Sequence, residues 1–326
     1  MTTPNPTPHD SFAQEVFSDP EQAAVVLRAV LPPVLTSALD FSKAKLLPSL
    51  FKDEELKERR ADFLFEIPLA GKPALVLTLL EHQSRQDRTM AARLLVYAGR
   101  ALDGHLRKHP RAKRLPALIP VVLYHGKRAW TAPRELLELY ALDPPLQEAL
   151  RGHLPNLRFF LDDLSQVGDD DLRQRPGPVL ARLALIVLRH AERLRKAKDP
   201  AATLRSLAAS LSDLLQQARD RAGLVVVFRY MLEVVELEPE EGQAILARAL
   251  PARVKEDVVT AADQLEARGE VRAMRRVLLR QLHLKFKAVP PEVENRVATA
   301  GATELETWSD RVISASSLDE VFADPA

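Results

Sequence analysis

The chain has 326 residues, 46% of them hydrophobic and 28% charged, which is typical of a folded protein large enough for two domains and excludes a wholly disordered chain. Because 46 Lys and Arg residues nearly balance 45 Asp and Glu residues, the net charge is +1, and affinity for nucleic acid must come from local patches. The absence of cysteine excludes disulfides and thiolate sites, and with neither an apolar leader nor a membrane-length apolar run we expect a cytoplasmic protein outside the membrane.

The N-terminal part is predicted to be helical after a disordered start at residues 1–8. Asp10 lies on the first helix. A second helix begins after Asp19, which caps it, with Pro20 at the first helical position, and Pro32 ends it.

Two strands are predicted to form a hairpin between residues 61 and 81. Segment 61–69 and the apolar run 74–80 have strand character, and residues 70–73 have turn character. Because Pro73 cannot donate the hydrogen bond that closes a two-residue loop, we expect the four-residue loop 70–73. This loop places Asp62 directly opposite Glu81.

The expected register brings two carboxylates together at the end of a buried strand. Directly opposed Cβ atoms lie about 4.5–5.5 Å apart, so the two charges repel unless a divalent cation lies between them. Alternation along the strand places Gln83 on the face of Glu81 and His82 on the other face. A β-bulge would shift the register by one residue and remove the pairing. A separate alternative is that Asp62 and Glu81 are ordinary strand-end carboxylates in solvent.

The next elements complete a mixed sheet with helices packed on it. An amphipathic helix is predicted over residues 87–109, a buried strand over 117–124 and a further strand over 157–161. The order helix, hairpin, helix, strand indicates an α/β (α+β) domain over residues 9–176.

A dense basic cluster separates the long helix from the strand at 117–124, and no acidic residue interrupts positions 105–114. At one end of the sheet its side chains would bind DNA phosphates. They are equally consistent with a solvated helix end whose cations complement the helix dipole. The predicted DNA-binding residues, two of which follow the strand, are Arg107, Lys108, Arg111, Lys113, Arg114, Lys127 and Arg128.

The remainder of the chain is predicted to be all-α. Residues 177–268 form a helical region without a site motif, and residues 269–326 resemble a small helical domain of unknown function. The apolar positions of this last segment predict a small core or a partner-docking surface. We therefore expect that the C-terminal region can support homo-oligomer formation.

Several segments between His9 and Gly126 resemble the recombination-promoting nuclease family, also known as YhgA-like putative transposases, of the PD-(D/E)XK nuclease superfamily. The Glu-His-Gln-Ser segment with its downstream Met, Arg and Tyr is the most specific part. The matching segments are His9-Asp10-Ser11-Phe12, Ala61-Asp62-Phe63-Leu64-Phe65, Glu81-His82-Gln83-Ser84, Asp87, Met90, Arg93, Leu94, Tyr97, Leu115-Pro116 and 119–126.

The resemblance implies a restriction-endonuclease-like core that hydrolyses DNA phosphodiester bonds with Mg²⁺ or Mn²⁺, in recombination, mobile elements or defence. It assigns Asp62 and Glu81 as metal ligands, and Asp10 matches the opening His-Asp and reaches the same site. Gln83 occupies the position where most of the superfamily has Lys. A neutral amide can orient the attacking water but not deprotonate it.

Two other functions remain open at this point. The missing Lys at position 83 makes credible a catalytically silent module that binds DNA or protein through the nuclease scaffold. Another possibility is a helical assembly factor that the N-terminal part regulates.

Overall fold

The computed structural model describes residues 7–47, 62–81 and 86–323, and at residues 62, 75 and 77–81 it describes the backbone only. Five strands form one sheet: β1 Lys45–Leu47, β2 Asp62–Leu69, β3 Lys72–Glu81, β4 Ala117–Tyr124 and β5 Phe160–Asp163. The sheet order is β1-β2-β3-β4-β5, antiparallel from β1 to β3 and parallel from β3 to β5. The predicted mixed sheet is therefore confirmed.

Helices cover most of the remaining chain. Many begin with proline at the first helical turn, where its missing N–H has no helical partner to lose. The helices are α1 Pro8–Phe17, α2 Pro20–Val30, α3 Pro33–Ala38, α4 Met90–Lys108, α5 Pro144–Leu150, α6 Asp169–Gln174, α7 Val179–Arg195, α8 Pro200–Ser210, α9 Ser212–Gln217, α10 Arg221–Val234, α11 Pro239–Ala249, α12 Lys255–Phe286, α13 Pro291–Thr299, α14 Ala302–Ser314 and α15 Leu318–Phe322. Among the described helices, none combines the length and the hydropathy needed to cross a bilayer.

The β2–β3 hairpin has a tighter turn than expected. Leu69 pairs with Lys72, so the loop is Ala70-Gly71, and Asp62 pairs with Leu79 and not with Glu81. Both loop residues have positive φ, 48° and 76°, as the two-residue turns that match strand twist require. The expected four-residue loop and the direct pairing of Asp62 with Glu81 are therefore wrong.

The prolines explain why this register is allowed. Cross-strand pairs alternate between hydrogen-bonded and non-hydrogen-bonded positions, and the pair that closes a two-residue loop is hydrogen-bonded. Pro68 pairs with Pro73 one step further, at a position where neither residue needs to donate across the strands. The argument against a two-residue loop failed because it centred that loop one residue too far along the chain.

The two faces of the sheet pack against different helices. Phe63, Phe65 and Ile67 of β2 belong to the larger core, which includes buried residues of α1, α2, α7 and α10. Leu64 faces the smaller core, which contains Met90, Leu94 and Tyr97 of α4. Alternation along β2 thus covers both faces with helices.

The core arrangement bears on the predicted domain boundaries, which stay a prediction. The larger core contains buried residues between Phe12 and Ala262, so one face of the sheet shares it with α1, α2, α6 to α11 and the start of α12. A separate core between Leu278 and Phe322 joins the end of α12 to α13, α14 and α15. The predicted disorder of residues 1–8 lies mostly outside the described residues, although Thr7 caps α1 and Pro8 is its first residue.

Candidate active site

Three parallel strands end at one level, and this end of the sheet carries the predicted catalytic positions. Glu81 pairs with Tyr124, and Tyr124 pairs with Asp163, so the last residues of β3, β4 and β5 form a row. Asp62 opens β2 at the same end, opposite Leu79. We call the row of Asp62, Glu81, Tyr124 and Asp163 the Glu81 edge.

The observed register changes the relation between the two predicted metal ligands without separating them. Glu81 lies two residues beyond the partner of Asp62, and a shift of two keeps both backbone positions on the same face of the sheet. Diagonal neighbours of this kind are about 7–8 Å apart, instead of the shorter distance of a direct pair. The two backbone positions are therefore neighbours on one face of the sheet.

Other residues of the predicted motif cannot be placed. His82, Gln83 and Ser84 lie outside the described residues. No group of three His, Cys, Asp or Glu side chains that could hold a metal ion occurs among the described ones, which do not include the side chains of Asp62 and Glu81.

Helix α1 contacts the end of β4 through His9. His125 follows directly on Tyr124, and its ring centroid lies 5.6 Å from that of His9. Asp10 is the next residue of α1 after His9. The first helix thus contacts the end of β4, on the face of the sheet that carries Phe63, whereas positions 62 and 81 alternate onto the face that carries Leu64. That Asp10 reaches the same site as Asp62 and Glu81 stays a prediction.

Asp10 is a half-buried carboxylate with few partners. One of its oxygens accepts hydrogen bonds from the backbone N–H and the hydroxyl of Thr7, at 3.1 and 2.8 Å. Burial raises the pKa of Asp10, and the Thr7 hydrogen bonds oppose that rise. Its other oxygen has no hydrogen bond to a described residue, so it can accept a further partner.

Three buried polar side chains lie behind Asp10. Nδ1 of His9 is hydrogen-bonded to the hydroxyl of Tyr230, and His9 and His125 are 5% and 3% exposed. Burial, followed by the charge of Arg195, lowers the pKa of His9 from 6.5 to about 4. Burial, followed by neighbouring His9, lowers the pKa of His125 from 6.5 to about 3. Both imidazoles are therefore neutral near pH 7.

The loop after β4 is fastened at the Glu81 edge. The hydroxyl of Tyr124 donates to the carbonyl of Arg128 at 2.9 Å, and Gly126 leaves the space for this, because a Cβ at Gly126 would collide with the Tyr124 side chain. Gln86 accepts from the backbone N–H groups of Thr131 and Ala132 at 2.6 and 2.9 Å. Lys127 and Arg128 are exposed on this loop.

The other predicted DNA-binding residues lie at the opposite end of the sheet. The N-terminal residue of β4, Ala117, pairs with Ala74 next to the hairpin turn, so the preceding segment 107–114 is near that turn. An open groove of about 600 Å³ there is lined by Pro73, His105, His109 and Arg111, among others. From position 74 to position 81 the strand rises roughly 23 Å. The basic residues thus form two groups.

The basic side chains differ in their partners. Arg107 forms an exposed ion pair with Asp103 at 2.7 Å. The others have no ion-pair partner within the part of the chain that the structure describes. These are Lys108, Arg111, Lys113, Arg114, Lys127 and Arg128.

Residues of the family motif after Glu81 have structural roles. Asp87 accepts from the backbone N–H of Thr89 at 2.8 Å and pairs with Arg93 at 3.3 Å, so it fixes the start of α4. Met90, Leu94 and Tyr97 are buried on the α4 face that covers the sheet.

The sequence interpretation did not include several residues that shape this end of the sheet. Buried Asp162 forms a two-pronged ion pair with Arg175 at 2.5 and 2.8 Å. Asp163 accepts from the backbone N–H groups of Trp130 and Ser165 at 2.8 and 3.0 Å, so it is engaged in holding loops. A run of two acids after an apolar strand was the available signal.

A comparison with protein families matches residues 7–222 to the family described as "Putative transposase, YhgA-like". The chain belongs to this family. The match includes α1, the whole sheet and the helices as far as the start of α10, so the family region extends beyond the sheet into the helical region.

Curated relatives carry related names. The chain is 28% identical over 274 residues to Recombination-promoting nuclease RpnA of Escherichia coli K12, covering 81% of this chain and 85% of that protein. It is 30% identical over 180 residues to RpnD of E. coli O157:H7, covering 54% of this chain and 66% of that protein. It is 29% identical over 182 residues to a K12 protein named Inactive recombination-promoting nuclease-like protein RpnE, covering 56% of this chain and 57% of that protein. No solved structure matches the chain.

Proposed function

We propose that this chain is a metal-dependent DNA endonuclease whose catalytic groups are at the Glu81 edge. The observation that carries the proposal is the register that puts Asp62 and Glu81 at one end of the sheet and on one face, in a family whose relatives are named nucleases. For these relatives, the nuclease activity is what their names state.

The residues at this edge are suited to a hard divalent cation. Carboxylate oxygens are preferred by Mg²⁺ and Mn²⁺, and Asp10 offers a half-buried oxygen without a described partner and a pKa raised by burial. Asp62 and Glu81 would hold the ion, and Asp10 would be placed to assist. When bound, such an ion supplies charge stabilisation and a more acidic water.

The chain's own side chains then have separate tasks. Gln83 would orient the attacking water through its amide, because it cannot accept the proton as a base in the way a neutral lysine can. Lys127 and Arg128, exposed next to the edge, would bind phosphates close to the scissile bond. Arg107, Lys108, Arg111, Lys113 and Arg114 would bind phosphates at the hairpin end.

The test is nicking of supercoiled plasmid by purified protein in Mg²⁺, Mn²⁺ or EDTA. We expect metal-dependent cutting that Asp62→Asn and Glu81→Gln each lower by at least about 100-fold, since both remove a metal ligand. Glu66→Gln is the matched control, because Glu66 is a half-buried acid on the same strand, four residues from Asp62 and away from the edge. Full activity in either edge variant would exclude these residues as ligands.

A catalytically silent binding module is the second candidate. It is favoured by Gln83 in the place of the superfamily's Lys and by relatives that are named inactive. DNA retardation on a gel without cutting in any metal, unchanged by Asp62→Asn, is the outcome that would establish it instead.

A further inference from the structure

We infer that Arg229 and Tyr230 of α10 are positioning residues that hold α1, and with it Asp10, at the Glu81 edge. The catalytic consequence of this inference rests on the proposed function, whereas the anchoring of α1 can be tested without it. No motif in the helical region predicted such a role.

The carboxylate of Asp10 has no hydrogen bond to a described residue of the sheet. Within the described chain, its carboxylate accepts hydrogen bonds from Thr7 alone, three residues earlier at the same helix end. The location of its carboxylate therefore follows the position of α1 as a rigid element. Whatever holds α1 sets the distance from Asp10 to Glu81.

Tyr230 contacts the first half of α1 in two ways. Its hydroxyl is hydrogen-bonded to His9, and its ring stacks on Phe12 with centroids 4.0 Å apart and planes 4° from parallel. Tyr230 is 2% exposed, and burial raises the pKa of its phenol further above the usual range, so the hydroxyl keeps its proton. A buried hydroxyl that retains its proton is a durable partner for the neutral His9.

Arg229 holds the second half of α1. Its buried guanidinium forms an ion pair with Glu15 and donates to Gln264 of α12 at 2.6 Å. Arg268 of α12 also approaches Glu15, at 3.4 Å. The two positive side chains thus tie α1 to both α10 and α12.

The same helix contacts the sheet on its other side. His9, which bonds Tyr230, also packs against His125, and His125 follows the residue that pairs with Glu81. A continuous path of buried contacts therefore runs from α10 through α1 to the end of β4. Each step involves side chains that are less than a tenth exposed.

Tyr230→Phe in the full-length chain tests the inference with the smallest change. The variant keeps the ring that stacks on Phe12 and removes the hydroxyl that bonds His9. Tyr140→Phe is the matched control, because it removes a tyrosine hydroxyl that donates to the Pro155 carbonyl at 2.9 Å, remote from α1. Glu15→Gln is a second test variant that weakens the Arg229 contact at the other end of α1.

The primary readout is hydrogen exchange of the α1 peptide, and the second is the separate measurement of kcat and KM for plasmid nicking. We expect Tyr230→Phe and Glu15→Gln to speed exchange of residues 8–17 by about 10-fold, and to lower kcat by about 10-fold with KM for DNA unchanged. Exchange of β2 and β4 peptides stays as in the wild type, and Tyr140→Phe changes neither readout.

The outcomes separate the two proposals. Unchanged exchange of α1 in both variants, or faster exchange with unchanged kcat, overturns the positioning role. Faster exchange of α1 in a protein whose wild type cuts no DNA in any metal supports the anchoring and overturns the endonuclease function.

Discussion

At the scale of single residues, the sequence pattern predicted the strand-end acids but not the buried polar contacts that hold the neighbouring helices. Asp62 and Glu81 stand at the ends of apolar runs, which a hydropathy pattern exposes, and the structure places both at one edge. The contact between His9 and Tyr230 joins residues 221 positions apart, and no local pattern encodes a contact of that separation. Long-range polar contacts of this kind become visible only when the helices are packed.

Gly126 is expected to be sensitive to the smallest possible addition. Gly126→Ala places a methyl group against the Tyr124 ring and hydroxyl, and such overpacking lowers the free energy of unfolding by about 1–3 kcal/mol. Gly152→Ala is the matched control, since a Cβ there meets no atom within 4 Å. Urea unfolding of the two variants provides the comparison, and equal stabilities would contradict the proposed contact.

The buried histidines predict a loss of stability in acid. Unfolded His has a pKa near 6.5, whereas His9 has about 4 and His125 about 3 in the fold, so between these values the unfolded chain binds more protons. The stabilisation is complete above about pH 6.5 and is lost as the pH falls towards the folded values. For His9 it amounts to on the order of 3 kcal/mol.

The measurement is the free energy of unfolding from pH 7.5 to pH 4.5, in wild type and in His125→Gln. The variant has one fewer histidine to protonate on unfolding, so its stability should fall less steeply with acid. Parallel curves for the two proteins would show that His125 does not carry this dependence.

At the scale of elements, hydrophobic patterns predicted β4 residue for residue and β2 to within one residue. They did not predict the register of the hairpin, because it depends on backbone dihedrals at Ala70, a residue without turn preference, as well as at Gly71. The basic cluster also divided unexpectedly, since a helix that runs back along the sheet carries its C-terminal cations away from the Glu81 edge.

The turn can be tested by two substitutions that are expected to change the free energy of unfolding in opposite directions. Asn tolerates positive φ better than Ala, so Ala70→Asn should raise the free energy of unfolding by about 0.5–1 kcal/mol. Gly71→Ala introduces a Cβ at a φ of 76° and should lower it by about 1 kcal/mol. Thermal unfolding of both variants measures the signs, and the same sign in both would contradict the two-residue turn.

At the scale of the whole molecule, the hydrophobic cores do not divide the chain where the sequence pattern changes from mixed to all-helical. The boundary predicted after residue 176 from the change to an all-helical pattern stays a prediction. The buried residues of α7 and α10 share one core with the sheet. Apolar periodicity shows that a helix has a buried face but not which element covers it. The C-terminal core was easier to anticipate, because most of its residues lie close together in sequence.

A substitution in the C-terminal core is expected to destabilise that unit without destabilising the rest of the chain. Leu305 is fully buried in the separate core, so Leu305→Ala should cost that unit about 2–5 kcal/mol and leave the larger core unaffected. Hydrogen exchange should then rise in α13, α14 and α15 but not in α1, β2 or α7. Equal loss of protection in both parts would show that they unfold as one.

The length of the strands fixes the distance between the two basic groups. A duplex rises about 3.4 Å per base pair, so the roughly 23 Å between the hairpin turn and the Glu81 edge corresponds to about seven base pairs. Under the proposed function, DNA bound along the strands would be held by the basic residues at the hairpin end and cut at a fixed distance from them. Fragments shorter than that distance could reach only one of the two ends.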